Sequence, residues 1–167
     1  MIEYRKIDKD YKEDLIELIN TVLNNLERKE FFIPFTDKEI EEMFNPENTI
    51  LYGAFDDDKL VGTAQLYLQE SYVEDIKKVI NLEDKKVVEL GGYLILEDYR
   101  HKGIMKKLES ILINEAKGKD YEYIVITVHP DNVASNKVVE TTGAKIVKTT
   151  KLGDYLRHIY LLKINSD

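Results

Sequence analysis

Residues 90 to 108, LGGYLILEDYRHKGIMKKL, constrain the fold more than any other stretch of the chain. An apolar run breaks at Glu97, passes through the tight segment Arg100-His101-Lys102-Gly103, and resumes at helical spacing with Ile104, Met105, Leu108, Ile111, Leu112 and Ala116. A strand that turns through glycine into a helix leaves the first amides of that helix without intrahelical carbonyls. Such amides, with the positive end of the helix dipole behind them, suit a phosphate, so an anionic cofactor is expected. A β-carbon at position 103 would obstruct close backbone approach, which gives Gly103 its purpose.

With 167 residues, 43% hydrophobic and 34% charged, the chain suits a single soluble domain over residues 1–167 that buries roughly two thirds of its unfolded surface. Cysteine is absent, so disulfides and thiolate metal sites are excluded and a reducing, cytoplasmic setting is expected. The start, MIEYRKIDKD, has no apolar signal core, and no window approaches the ~20 apolar residues of a membrane span. A net charge of -8 argues against nucleic-acid binding, which needs a basic face. The charge is uneven: residues 1 to 48 hold 13 acidic against 7 basic side chains, a balance of -6, and the rest hold 19 against 17, a balance of -2. That N-terminal acidity either favours a cationic partner such as an amine or is simply a solvated surface.

Alternation over Ile2 to Ile7 predicts a first strand, and Leu15, Ile16, Leu18, Ile19, Val22, Leu23 and Leu26 form a helical stripe. An apolar loop, Phe31-Phe32-Ile33-Pro34-Phe35, leads to a short helix near 37 to 44. Strands at 49 to 56 and 59 to 69 pair through a turn at Asp56-Asp57-Asp58. Ser71 with Glu74 has capping-box spacing and predicts a helix over 72 to 82, before a strand at 86 to 96 and a helix at 103 to 118. A strand follows at Tyr123 to Val128, then a helix capped by Asn132 and stopped by Gly143, and two last strands near 144 to 150 and 155 to 164. This order predicts a mixed sheet with helices on both faces.

Residues 86 to 108 and 123 to 144 together resemble the GNAT superfamily of acyl-CoA-dependent N-acetyltransferases. That family's phosphate loop runs Arg or Gln, two residues, Gly, one residue, then Gly or Ala; Arg100-His101-Lys102-Gly103-Ile104-Met105 departs only at Met105. In the second segment, Asn132, Ser135, Val138 and Gly143 match the family's helix in register, while Ala144 replaces the usual aromatic. The resemblance implies an α/β (α+β) fold with a mostly antiparallel sheet of about seven strands, and acetyl-CoA as cofactor. It implies that amides across residues 101 to 105 hold the CoA pyrophosphate, each bond worth on the order of 1 kcal/mol. Asn132 and Ser135 would contribute to the same site, and backbone groups near Leu94, Ile95 and Leu96 would pair with pantetheine and polarise the thioester carbonyl.

The implied reaction moves an acetyl group to a primary amine by direct attack through a tetrahedral intermediate, since no cysteine and no activated serine offers a covalent route. Val139 stands where many members carry the tyrosine that protonates the departing thiolate. A thiol has a pKa near ~8.5, so its anion leaves readily and water or Ser135 could serve as acid. Ser135 could equally hydrogen-bond the helix backbone or CoA. An alkylamine of pKa near ~10.4 is neutral in about one molecule in 2,500 at pH 7, so a base or a desolvating pocket is required. Glu89 is the first candidate, at the position where the histone-acetylating branch carries its base glutamate; its alternative is an exposed polar strand residue. His129 is a second candidate, and the spacing of the three histidines suggests no metal site.

Phe31, Phe32 and Phe35 fall where the family walls its acceptor site, although clustered aromatics also serve core or dimer packing. The helix at 72 to 82 is either a lid or a cover for a sheet edge. Acceptors from polyamines to peptide N-termini remain open, as does a homodimer. A catalytically silent acyl-CoA sensor with the same fold is the leading rival, and an unrelated α/β binding domain the second.

Overall fold

A computed structural model describes residues 1–165. The described residues form seven strands: β1 (Ile2–Lys6), β2 (Thr49–Asp56), β3 (Lys59–Tyr67), β4 (Val87–Ile95), β5 (Tyr123–Val128), β6 (Lys145–Leu152) and β7 (Tyr155–Lys163). They make one sheet in the order β1-β2-β3-β4-β5-β7-β6, antiparallel throughout except between β4 and β5. Five α-helices are interleaved: α1 (Lys12–Asn24), α2 (Asp37–Glu42), α3 (Glu74–Val79), α4 (Ile104–Lys117) and α5 (Val133–Glu140). The element order and fold class match the sequence-based expectation. Among the described residues, no helix is long and apolar enough to cross a membrane.

Strand alternation divides the core between the two faces of the sheet. On one face, Ile50, Ala54, Ala64, Leu66, Val88, Leu90, Ile124 and Ile126 pack against Ile104, Leu108, Leu112 and Ala116, the buried stripe of α4. On the other, Leu51, Phe55, Leu60 and Leu94 meet Leu15, Leu18, Ile19 and Val22 of α1. The same side carries a separate cluster in which Val73 and Ile76 cover Val87, Val125 and Ile159. The segment expected to be a lid or an edge cover lies mainly over strands β4, β5 and β7, and it reaches edge strand β6 through Leu152 and through Lys148, which donates to the Val79 carbonyl.

That segment also corrects the expected helix boundaries. Helix α3 spans only Glu74–Val79, and its N-cap, Val73, makes no side-chain cap. A single turn of 3-10 helix, Glu70–Tyr72, absorbs the chain before it, so Ser71 falls too early to reach α3. The capping box forms elsewhere, at Thr36 and Glu39 ahead of α2, where both reciprocal bonds are present.

Strands β4 and β5 pair only over Val87–Glu89 and Tyr123–Val125, and then part while each runs on. The cause lies in β4. Its register against β3 slips between Thr63 and Gln65, a bulge that bends the strand and raises its local twist. Gly92 sits in that bulge at φ +69, and a β-carbon there would lie 2.8 Å from Tyr67 Oη and 2.9 Å from Gln65 Nε2. Only glycine satisfies both the left-handed backbone and the space.

Candidate active site

The parting of β4 and β5 opens a cleft, and the loop ahead of α4 stands at its mouth. The Arg100 amide donates to Glu97 O at 3.1 Å, and the next amide in a backbone bond is that of Lys107, to Gly103 O at 3.0 Å. Among the described residues, no backbone carbonyl receives the amides of His101, Lys102, Gly103, Ile104 or Met105. His101 and Gly103 are left-handed, at φ +62 and +77, which turns successive amides toward a common side as in an anion nest. A β-carbon at Gly103 would meet nothing within 4 Å, so the space beside it is open to a ligand while the backbone conformation still calls for glycine. Arg100, His101 and Lys102 are exposed around this loop, a local basic patch on an acidic protein. Ile104 seals the base of the loop from within the core, and Met105 is half-buried. These residues fit a pyrophosphate.

Three positions at the end of β4, Leu94, Ile95 and the following Leu96, were expected to meet the pantetheine arm, and they are not equivalent. The Leu96 amide donates to Val61 O at 2.9 Å and its carbonyl accepts from Tyr99 at 2.9 Å, so both groups already have partners. Alternation along an antiparallel pair then turns the N–H and C=O of Ile95 away from β3, toward the cleft, and those of Leu94 back toward β3. Ile95 is the member of the trio with free backbone groups on the open side.

On the far wall, Asn132 caps α5 by accepting from the Ser135 amide at 3.3 Å, as its sequence position suggests. Ser135 is half-buried in the first turn, and Val139 is fully buried in the core. Two residues that the sequence did not single out hold this wall. Asn136 Nδ2 donates to the carbonyls of Asn132 (2.8 Å) and His129 (3.1 Å), and Tyr160 Oη donates to Asn136 Oδ1 at 2.6 Å. His129 is buried, with Nδ1 accepting from the Asp131 amide at 3.0 Å.

Glu89 occupies the last paired position before the strands part, opposite Tyr67 on β3 and Val125 on β5. Its side chain shares a sheet face with Val87 of the α3 cluster and lies between that cluster and the α1 core. Burial pushes its carboxyl up to about 8. The alternative of a freely exposed strand residue is therefore not what the structure places there. A second acid, Glu109 on α4, is buried and accepts from Tyr93 Oη at 2.9 Å; burial raises it to about 7 against the opposing effect of that bond. Its helix-face position is apolar in pattern, so nothing in the sequence marked it.

The three phenylalanines separate. Phe32 and Phe35 stack edge to face at 5.4 Å and pack against the α1 core. Phe31 instead crosses to the loop after β5, its ring 5.0 Å from that of His129. Arg28 covers Phe31 at 4.8 Å and pairs with Asp131 at 2.9 Å, so the α1–α2 loop bridges to the wall that carries α5.

Comparison with known proteins agrees with this geometry. The model of the acetyltransferase (GNAT) family matches residues 20–144. No curated protein matches the chain significantly. Among solved structures, a GNAT-family acetyltransferase from Streptococcus pneumoniae is 19% identical, with TM-score 0.77 over 99% of this chain and 100% of that one. An N-acetyltransferase from Staphylococcus aureus Mu50 is 19% identical, with TM-score 0.74 over 98% of each chain. Arabidopsis thaliana NAA60 in complex with acetyl-CoA is 15% identical, with TM-score 0.76 over 99% of this chain and 100% of that one. At these identities the structures speak for the fold, and the family match spans most of the chain, including both motif segments. The chain belongs to the acetyltransferase (GNAT) family.

Proposed function

We propose that this protein moves the acetyl group of acetyl-CoA onto a primary amine by direct attack, acting as a single cytoplasmic N-acetyltransferase domain. The observation that carries the reading is the run of five unclaimed amides, residues 101 to 105, at the mouth of the β4–β5 cleft. The binding of acetyl-CoA by Arabidopsis NAA60, which has the same fold, supports it.

In this reading, the amides of His101 to Met105 hold the pyrophosphate, with Arg100 and Lys102 adding positive charge and the His101 ring beside them. The backbone of Ile95 aligns the pantetheine arm along β4 and aims the carbonyl carbon at the groove beside Glu89. Bound acetyl-CoA supplies an activated acetyl group whose thiolate leaves readily. Glu89, ionised in a minority of molecules at pH 7, takes the proton that the incoming ammonium must lose. Because Val139 offers no proton, Ser135 or water returns one to the sulfur. Phe31 closes the top of the acceptor side, while Phe32 and Phe35 hold the loop that carries it.

Thiol release from acetyl-CoA, followed with a thiol-reactive dye while a primary alkylamine is varied, tests this. Saturable, amine-dependent release with a matching N-acetylated product is expected. Tight acetyl-CoA binding without amine-dependent release would instead make the protein an acyl-CoA sensor.

A further inference from the structure

Beside Glu89, the groove between the α1 core and the α3 cluster holds a buried acceptor, on Gln65, that has no partner among the described residues. Gln65 is 1% exposed, yet its Oε1 has no hydrogen-bond partner. Its amide and the Tyr67 hydroxyl converge on the bulge at Gly92, since a β-carbon there would touch both within 2.9 Å. Gln65, Tyr67 and Glu89 share one sheet face, and Glu89 has no cation near enough to draw its pKa down. A primary ammonium, which brings three N–H donors and requires no donor in return, suits the acceptor oxygens of this set.

The groove continues outward. The Tyr67 and Tyr72 rings pair at 5.1 Å, tilted by 43°, and Tyr72 Oη donates to Glu42 Oε2 at 2.8 Å. Burial raises the pKa of both tyrosines, and the charge of Glu39, one turn earlier on α2, adds a smaller push in the same direction. Lys38 lies 3.9 Å from Glu42 but is 86% exposed, so it touches the rim without filling the groove. Aromatic faces flanked by carboxylates attract alkylammonium groups.

We propose that the acceptor is a small aliphatic diamine cation: its reacting amine sits among Gln65, Tyr67 and Glu89, and its second ammonium lies over Tyr72 beside Glu42. This rests on the acetyl-transfer reading for the role of the inner amine, but the outer cation subsite stands on its own geometry. The alkyl segment between the two nitrogens runs along the tyrosine rings. Glu42 and Tyr72 select the substrate, and Gln65 positions the amine without taking its proton.

Calorimetric titrations of the CoA-saturated protein with n-butylamine and 1,4-diaminobutane, paired with thiol-release rates for both, test the proposal. The diamine should bind at least tenfold more tightly and show a similar advantage in kcat/KM. Glu42→Gln should remove most of that advantage, Glu42→Lys should reverse it, and n-butylamine should respond little to either. Gln65→Leu should weaken both amines; Gln65→Asn, which keeps the amide, should weaken them less. Equal binding of the two amines, or a diamine preference untouched in Glu42→Lys protein of native melting temperature, would overturn the subsite. Diamine-selective binding without thiol release would keep the subsite and overturn acetyl transfer, whereas release that does not distinguish the amines would do the opposite.

Discussion

Glu89 combines a position, a burial and a protonation state that agree with one another. A carboxyl held near 8 in the fold and near ~4.3 in the unfolded chain binds its proton more tightly when folded. Its contribution is therefore most favourable below about pH 4.3 and falls as pH rises to about 8, because ionisation inside the groove opposes folding. Glu89→Gln removes that cost, so its melting temperature should exceed that of the wild type above about pH 5, with the gap widening toward pH 8. The same variant should lose roughly 100-fold or more in kcat, the usual scale of a general base, and its rate should no longer climb with pH through the Glu89 titration. A pH–rate profile and a pH series of thermal melts check the two arms. A variant with an unchanged profile would relieve Glu89 of the role. Glu89 was legible because it stands at a fixed distance before the loop, whereas Gln65 and Tyr67 were not: they reach Glu89 only through the pairing of β3 with β4.

At the scale of elements, periodicity and caps located the strands and helices well, because each signal lies within a few residues. Asn132 and Thr36 act as caps through their own side chains. Replacing Asn132 by alanine should lower stability by about 1 kcal/mol in chemical denaturation, and should raise KM for acetyl-CoA by loosening the first turn of α5. An unchanged midpoint would mean that Asn136, tied to His129 and Asn132 carbonyls, holds the turn unaided. The segment over 70 to 79 was misjudged for a physical reason. Val73 and Ile76 reach Val87, Val125 and Ile159 beneath them from a 3-10 turn followed by a short helix without a side-chain cap, and those tertiary contacts lie outside the local capping signal. Edge strand β6 shows the opposite logic: Lys145, Lys148 and Lys151 stand along it, charges that discourage edge pairing despite the exposed Ile146 and Val147.

Across the whole molecule, the proposed site lies where the β3–β4 bulge, one of three register shifts in the sheet, coincides with the parting of β4 from β5. The bulge at Gly92 turns β4 away from β5, the resulting cleft receives the loop before α4 on one side, and the polar groove of Gln65, Tyr67 and Glu89 opens on the other. The motif residues announced the loop, but the cleft follows from sheet order and register, which are non-local and leave little trace in a single chain. Charge follows the same division, with basic residues around the loop and carboxylates along the groove, which suits the anionic donor and the cationic acceptor of the proposed reaction. The decisive measurement is a calorimetric titration of acetyl-CoA into wild-type protein and Gly103→Glu. The wild type should bind saturably near micromolar affinity, about -8 kcal/mol, and the variant at least tenfold more weakly, because the side chain and its charge enter the open space beside the unclaimed amides. No binding by wild type, or equal binding by both proteins at native melting temperatures, would contradict a pyrophosphate site at this loop.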